Sequence, residues 1–213
     1  GREATEAGAA VTADFGKSWD IVTDMAVKLV PGGHPYHALG EAAANAAREG
    51  NIRADEVAQI VVSRPGMTAL TEPLHPTDLI GMAHSPAYFT AAGAADHAFS
   101  WVHASPAKIA DPVIHRLIDK VVIVAPPGDP DRRYRQGATV TVRTTDGRSF
   151  TSTVYAPKGS GLLGIDWSDV DAKYRTLMPN SGLRAEPIEA SLDLIHRFRD
   201  QAGVAPLLSL LTK

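Results

Sequence analysis

The chain has 213 residues, of which 44% are hydrophobic and 21% are charged, and its formal net charge is −3. This balance excludes an intrinsically disordered chain and a binder of nucleic acid or anionic membranes that works by bulk positive charge. Because the chain has no cysteine, disulfides, thiolate metal sites and a cysteine nucleophile are excluded, and a reducing, cytoplasmic location is expected. No run of ~20 apolar residues predicts a membrane span.

The first part of the chain alternates alanine-rich stretches with short β-branched runs. A small, polar opening through about Gly16 predicts a tether or a frayed helix, and Gly50 ends the first helix. Ser85-Pro86 and Asp111-Pro112 each combine a helix-capping side chain with a proline, which is typical of a helix start. In chain order, the predicted elements are a helix over 38–49, a strand over 60–62, a helix over 87–98, a helix from 112 and a strand over 121–124.

A β-hairpin is predicted over 138–145 and 148–155, around Asp146-Gly147. This dipeptide tolerates positive φ at both turn positions, as a tight two-residue turn requires. Apolar residues alternate with threonines and serines on both sides, so one face of the hairpin is expected to be buried and the other wet.

The last third predicts helices. Ser168-Asp169 caps a segment that runs to about Met178, and Glu186-Pro187 opens a long amphipathic helix. Its apolar stripe consists of Ile188, Leu192, Ile195 and Phe198. The stretch Val204–Leu211 is too apolar to lie exposed, so it is expected to dock on another surface. Together the elements predict an α+β unit with a helical appendage.

The densest set of chemically capable residues is Lys28, His34 and His37, around the turn Pro31-Gly32-Gly33. A lysine, two imidazoles and a helix N-terminus can form a pocket for a carboxylate, with the imidazoles transferring protons near neutral pH. The alternative is a solvated lysine with two loop histidines. Zinc is disfavoured because no third ligand stands at a motif spacing, and no metal or cofactor is predicted.

Two other patterns predict loops. Gly159-Ser160-Gly161 followed by Gly164 is similar to a phosphate loop but lacks the Gly-Lys-Ser/Thr that this motif requires. The basic cluster over 132–135 predicts a solvated loop tip.

Several segments, taken in order, resemble the carboxy-terminal half of the MmgE/PrpD family, which includes 2-methylcitrate dehydratase, cis-aconitate decarboxylase and iminodisuccinate epimerase. The matching stretches are Trp19-Asp20-Ile21, Val27–Pro31 with His37, 52–62, 83–92, 111–124, the hairpin, and Ala156–Gly159 with 167–174. Their collinearity covers nearly the whole chain. The departures are Gly32-Gly33-His34, where the family often has Cys or His near position 33, and Val30 in place of an aromatic residue.

The resemblance implies a two-domain enzyme with a large helical domain and a smaller α+β lid. Residues 1–23 would be a linker or tail of the helical domain, 24–157 the lid, and 158–213 helices that return to the helical domain. Since the chain begins at Gly1 without the N-terminal helical half, we expect a processed subunit or a piece of a longer protein. The partners implied are that half or a partner subunit, and a second copy in a homodimer; neither nucleic acid nor a membrane is expected.

The resemblance also implies site residues. Lys28 matches the lysine that faces the carboxylate-bearing substrate, and His37 matches the histidine of the next helix, so both are predicted to be catalytic. The residues predicted to contact the substrate are His34, Tyr36, Ser85 and Tyr88. For Ser85 and Tyr88 the alternative is ordinary helix packing.

The expected activity is cofactor-independent proton abstraction or delivery next to a carboxylate of a small di- or tricarboxylate, giving dehydration or decarboxylation. An epimerase or isomerase of the same superfamily is one alternative, and a non-catalytic module that binds a ligand or a partner is another. Because the family's main acid and base lie in the N-terminal half, this chain alone is expected to be inactive.

Overall fold

The structure, a computed structural model, describes residues 8–9, 12–17, 26–125, 136–160 and 165–212. The predictions for Trp19-Asp20-Ile21, for the basic cluster over 132–135 and for Gly161 and Gly164 lie outside these ranges. The described residues form eight α-helices and a four-stranded mixed sheet, which confirms the α+β fold.

Helices α1 to α8 span His34–Glu49, Leu79–His84, Pro86–Asp96, Pro106–Ile109, Pro112–Ile118, Trp167–Leu177, Ala185–His196 and Ala205–Leu211. Strands β1 to β4 span Val57–Ser63, Val121–Ile123, Ala138–Thr144 and Ser149–Val154.

The sheet has the strand order β2-β1-β3-β4. Strand β1 pairs in parallel with β2, with Ile60 opposite Val121, and antiparallel with β3. A parallel pair needs a long crossover connection, and residues 64–120 with α2 to α5 supply it. Strands β3 and β4 form the predicted hairpin.

One face of the sheet is covered by helices and the other is polar. Helix α1 packs against β3, β4 and α3, and α3 packs against α5. The opposite face carries cross-strand threonine pairs, whose hydroxyl oxygens are 2.8 Å apart in Thr139/Thr153 and in Thr141/Thr151. The hairpin therefore has one buried face and one solvent-exposed polar face, as its alternation of apolar and polar residues predicts.

Helices α1 and α3 cross at two glycines. A Cβ atom added to Gly93 would lie 2.2 Å from the carbonyl oxygen of Gly40. The two backbones therefore meet directly, and the alanines that fill both helices are buried at the crossing. This close approach fixes where α1 lies relative to the core.

The predicted helix starts in the core are confirmed. The Ser85 hydroxyl accepts the Tyr88 N–H at 3.1 Å, and the Asp111 carboxylate accepts the Val113 N–H at 2.8 Å. Helix α1 begins at His34, four residues before the predicted position, and ends at Glu49 with Gly50 as its cap. Helix α3 ends at Asp96, two residues early, because His97 takes a left-handed conformation with φ 56°.

The hairpin turn differs from the prediction. Only Gly147 has a positive φ, of 89°, and Asp146 does not. The Gly147 N–H donates to the Thr144 carbonyl, so a type I turn is followed by a left-handed glycine in a three-residue loop. The Asp146 carboxylate, which accepts from the Thr144 hydroxyl and the Arg148 N–H, stabilises this turn.

The C-terminal helices also form, with shifted ends. The N-cap of helix α6 is Asp166, whose carboxylate accepts the Asp169 N–H, while the Asp169 carboxylate accepts the Asp166 N–H in return. In α7 the stripe buries Ile188 and Leu192, but Phe198 lies beyond the helix in a 3₁₀ turn. Helix α8 buries none of its residues. Within the described ranges, no helix has the length and apolarity to cross a membrane. The domain limits at residues 23 and 157 stay a prediction.

Candidate functional site

The segment before α1 is fixed by backbone contacts on both sides. The Val27 N–H donates to the Gly159 carbonyl at 2.9 Å, and the Gly33 N–H donates to the Ala83 carbonyl at 2.8 Å. Between them Gly32 has φ +87°, and a Cβ there would lie 2.5 Å from the Phe89 ring. Only glycine fits this bend, which sets His34 at the first position of α1.

His37 is a buried imidazole without a polar partner. It is 3% exposed, and neither ring nitrogen forms a hydrogen bond with another described residue. Its ring lies parallel to that of Phe89, with centroids 5.9 Å apart, and meets the ring of His34 edge-on at 5.0 Å. An unsatisfied buried polar group is costly, so the side chain is poised to bind a ligand atom.

The surroundings of His37 keep it neutral. Burial lowers its pKa to about 4, and the positive charges of His34 and Lys28 act in the same direction. The backbone groups of Gly32 and Pro31 oppose this shift, and the effect of Gly32 is larger than that of the Lys28 charge. At neutral pH the ring is therefore a base or a neutral hydrogen-bonding group.

The ring of His34 packs against this imidazole, and Lys28 acts on it through its charge. The His34 Nε2 atom is 3.4 Å from the Gln136 Oε1 atom, and its Nδ1 atom has no described partner. Burial lowers the pKa of His34, and the Lys28 charge lowers it further. The Lys28 side chain is exposed, and its carbonyl accepts a hydrogen bond from Lys173. The structure thus brings His34 and His37 into contact and places the Lys28 charge near enough to lower the pKa of both.

A cavity of about 270 Å³ opens along α1. His37 lies in its wall, and Glu41, Asn45 and Arg48 follow on the same helix face at intervals of four, four and three residues. Lys28 and His34 are not in the wall, although Leu29 and Val30 are. The other lining residues are Ala44, His97, Ala98, Phe99, Pro157 and Lys158.

Glu41 is the acidic group of this cavity. Its Oε2 atom accepts the backbone N–H of Lys158 at 3.3 Å. Burial raises the pKa of Glu41, and the Lys158 N–H, the Lys158 charge and the Arg48 charge oppose the shift. The sequence analysis missed Glu41, Arg48 and Lys158. Helical spacing from His37 was the available signal for the first two, whereas Lys158 reaches the cavity only through the tertiary fold.

The other predicted substrate contacts lie within the core. Tyr36 packs edge-on against Phe89, with ring centroids 5.8 Å apart. Ser85 caps α3, and its hydroxyl also donates to the Leu74 carbonyl. The Tyr88 hydroxyl donates to the His103 carbonyl at 2.9 Å, and burial raises the pKa of Tyr88. None of the three is in the cavity wall, so their contact with substrate stays a prediction.

Three other histidines, His75, His84 and His115, lie outside the cavity wall. His75 contacts His115 and Asp119 at 2.9 Å each, and the ring of His84 contacts the Ile80 carbonyl. In the part of the chain that the structure describes, no three His, Asp or Glu side chains are grouped to hold a metal ion.

The fold and site define a two-layer α+β domain with a buried imidazole in a small cavity. The family model of the MmgE/PrpD C-terminal domain matches residues 31–194, so the chain belongs to the MmgE/PrpD family and the resemblance is confirmed. This is a family of enzymes whose members are dehydratases or isomerases. The comparison with curated proteins gave no match.

Proposed function

We propose that this chain is the lid-side part of a cofactor-independent lyase or isomerase that acts on a small di- or tricarboxylate. The observation that carries the proposal is His37, which is buried, forms no hydrogen bond of ordinary geometry with a described residue, and lies in a cavity wall within reach of the Lys28 charge. The reaction is proton abstraction or delivery at a carbon next to a carboxylate, with dehydration or decarboxylation as the outcome and epimerisation as the alternative.

The chemistry follows from the charges around the cavity. A neutral imidazole takes or relays a proton, because burial, with smaller electrostatic effects of His34 and Lys28, keeps the pKa of His37 below neutrality. The Lys28 ammonium attracts the substrate carboxylate and stabilises negative charge that develops beside it. His34 orients the substrate from the adjoining position. The main acid and base are supplied by the helical half, so the described lid alone is inactive.

The exposed apolar residues of the C-terminal helices favour the proposal that this lid docks on a partner. Val204 and Leu208 are 53% and 55% exposed, and no residue of α8 is buried. Apolar side chains in this arrangement favour docking on another surface, here the helical half or a second copy in a homodimer.

Lys28→Ala in the full native protein tests the catalytic proposal. We expect kcat/KM to fall about 100-fold or more, since removing one preorganised charge-stabilising group has effects of this size. Lys28→Arg should recover part of the activity because it keeps the charge. The assay uses citrate-like, aconitate-like and amino-dicarboxylate substrates, which also separates dehydratase, decarboxylase and epimerase.

Lys17→Ala is the matched control, because Lys17 is exposed and lies outside the cavity wall. Wild-type kcat/KM in the Lys28→Ala protein would remove Lys28 from the mechanism. Turnover of none of these substrates would favour the non-catalytic module.

A further inference from the structure

We propose that Glu41 is a specificity-determining residue that binds the substrate as a protonated carboxylic acid and donates a hydrogen bond to a substrate carboxylate. This inference rests on the proposed function and deepens it, since it assigns a second contact in the same cavity. It also makes affinity for organic acids dependent on pH in a defined direction.

The cavity carries two polar groups on one face of α1 that are positioned to meet the same small molecule. His37 and Glu41 are four residues apart, which is about 6 Å along a helix. His37 is only 3% exposed, and neither nitrogen of its ring forms a hydrogen bond of ordinary geometry with a described residue. The imidazole is therefore open to a ligand atom from the cavity, and Glu41 is the next polar side chain along the wall.

One oxygen of Glu41 is available to such a ligand. Oε2 accepts the Lys158 N–H at 3.3 Å, and no described residue forms a hydrogen bond with Oε1. Six of the other ten lining residues are apolar, among them Leu29, Val30 and Phe99, and the polar ones include the cations Arg48 and Lys158. In such surroundings a carboxylate of the protein and a carboxylate of the ligand repel each other unless one of them holds a proton.

The charged groups around Glu41 allow the protonated form. Lys158 and Arg48 face it from the loop before α6 and from α1, and both favour ionisation, but burial outweighs them and the pKa of Glu41 is raised. The Lys158 ammonium is also engaged by Asp169. His37 and His97 complete the titratable groups of the wall, and His37 stays neutral because burial lowers its pKa to about 4.

The direction of the pH effect follows from these groups. A fully ionised ligand that binds only to protonated Glu41 takes up a proton on binding, so its affinity falls as the pH rises. One linked proton gives at most about a tenfold change in Kd per pH unit. Fumarate is a suitable probe, because both its carboxylates stay ionised over the range.

The experiment measures the Kd of fumarate for the full native protein by calorimetry between about pH 6 and about pH 8. We expect the wild-type Kd to rise with pH, and Glu41→Gln to bind with an affinity that no longer depends on pH, since the amide donates a hydrogen bond at every pH. Glu49→Gln is the control, because Glu49 is exposed on the same helix and outside the cavity wall.

Two results overturn the inference about Glu41 alone: a wild-type Kd that is independent of pH, or a pH dependence that Glu41→Gln keeps. Loss of fumarate binding in Lys28→Ala with normal pH dependence in the wild type would support both proposals. Failure of the wild-type protein to bind fumarate at all would overturn this inference, whereas turnover of another organic acid in the activity assay would leave the proposed function standing.

Discussion

Gly93→Ala tests the helix crossing that positions the site. The added Cβ would lie 2.2 Å from the Gly40 carbonyl oxygen and 3.0 Å from its carbonyl carbon, where ordinary contact begins at 3.4 Å. The obstacle is backbone, which cannot rotate away, so α1 and α3 must separate by about 1 Å. The helix that moves is the one that carries His37 and Glu41.

The expected cost has two opposing contributions. Overpacking a core typically costs about 1–3 kcal/mol, and a rigid backbone obstacle belongs to the upper part of that range. Alanine instead of glycine in a helix gains up to about 1 kcal/mol. The free energy of unfolding should therefore fall by about 1–2 kcal/mol, which lowers the Tm by roughly 2–8 °C for a chain of this size.

The assay is urea and thermal unfolding followed by circular dichroism. Gly203→Ala is the control, because a Cβ there meets no atom within 4 Å and the position has no positive φ. That substitution should leave stability within about 0.5 kcal/mol of the wild type. If Gly93→Ala were as stable as the control protein, the direct backbone contact of α1 and α3 would be refuted.

The remaining predictions concern buried polar groups. The pKa of His37 falls on folding from 6.5 to about 4, so below pH 6.5 the unfolded state binds a proton that the folded state does not, and stability falls as pH drops to about 4. Between pH 6.5 and about pH 4 the wild-type free energy of unfolding should fall by on the order of 3 kcal/mol through this group, and His37→Asn should remove that fall. The same loss of stability at acid pH in His37→Asn would contradict the burial of this ring. Ser85→Ala should cost about 1 kcal/mol through loss of the α3 cap, measured by urea unfolding. Tyr88→Phe should cost about 1–3 kcal/mol because the buried His103 carbonyl loses its donor. An unchanged KM in the last two variants would contradict the predicted substrate contacts.

Local chemistry made most of the elements predictable. Ser85-Pro86 and Asp111-Pro112 specify helix starts by hydrogen bonds within three residues, and those starts are confirmed. The alternation of apolar residues and threonines specified the hairpin in the same way. Local competition between side chains explains the errors. Asp166 takes the N-cap position of α6, with Asp169 as its partner in a capping box, and Asp146 stabilises a type I turn in place of the tighter one.

The site was predictable in part. Lys28, His34 and His37 are close in sequence, so their spacing around a glycine bend was enough to group them. Glu41 and Arg48 share a helix face with His37, but sequence spacing does not show which face borders a cavity. Lys158 is far from them in the chain. Its backbone N–H contacts Glu41 only because the segment after the hairpin folds back against α1.

The sequence by itself determined the class of fold, the element order and the family, because caps, turns and periodicity act over a few residues and the matching segments are collinear. Only the tertiary structure decided what His37 faces and what Glu41 is paired with. Burial, and the pKa shifts that follow from it, depend on how α1 packs against α3 and on the segment around Lys158. Those contacts join residues that are distant along the chain, so no local pattern encodes them.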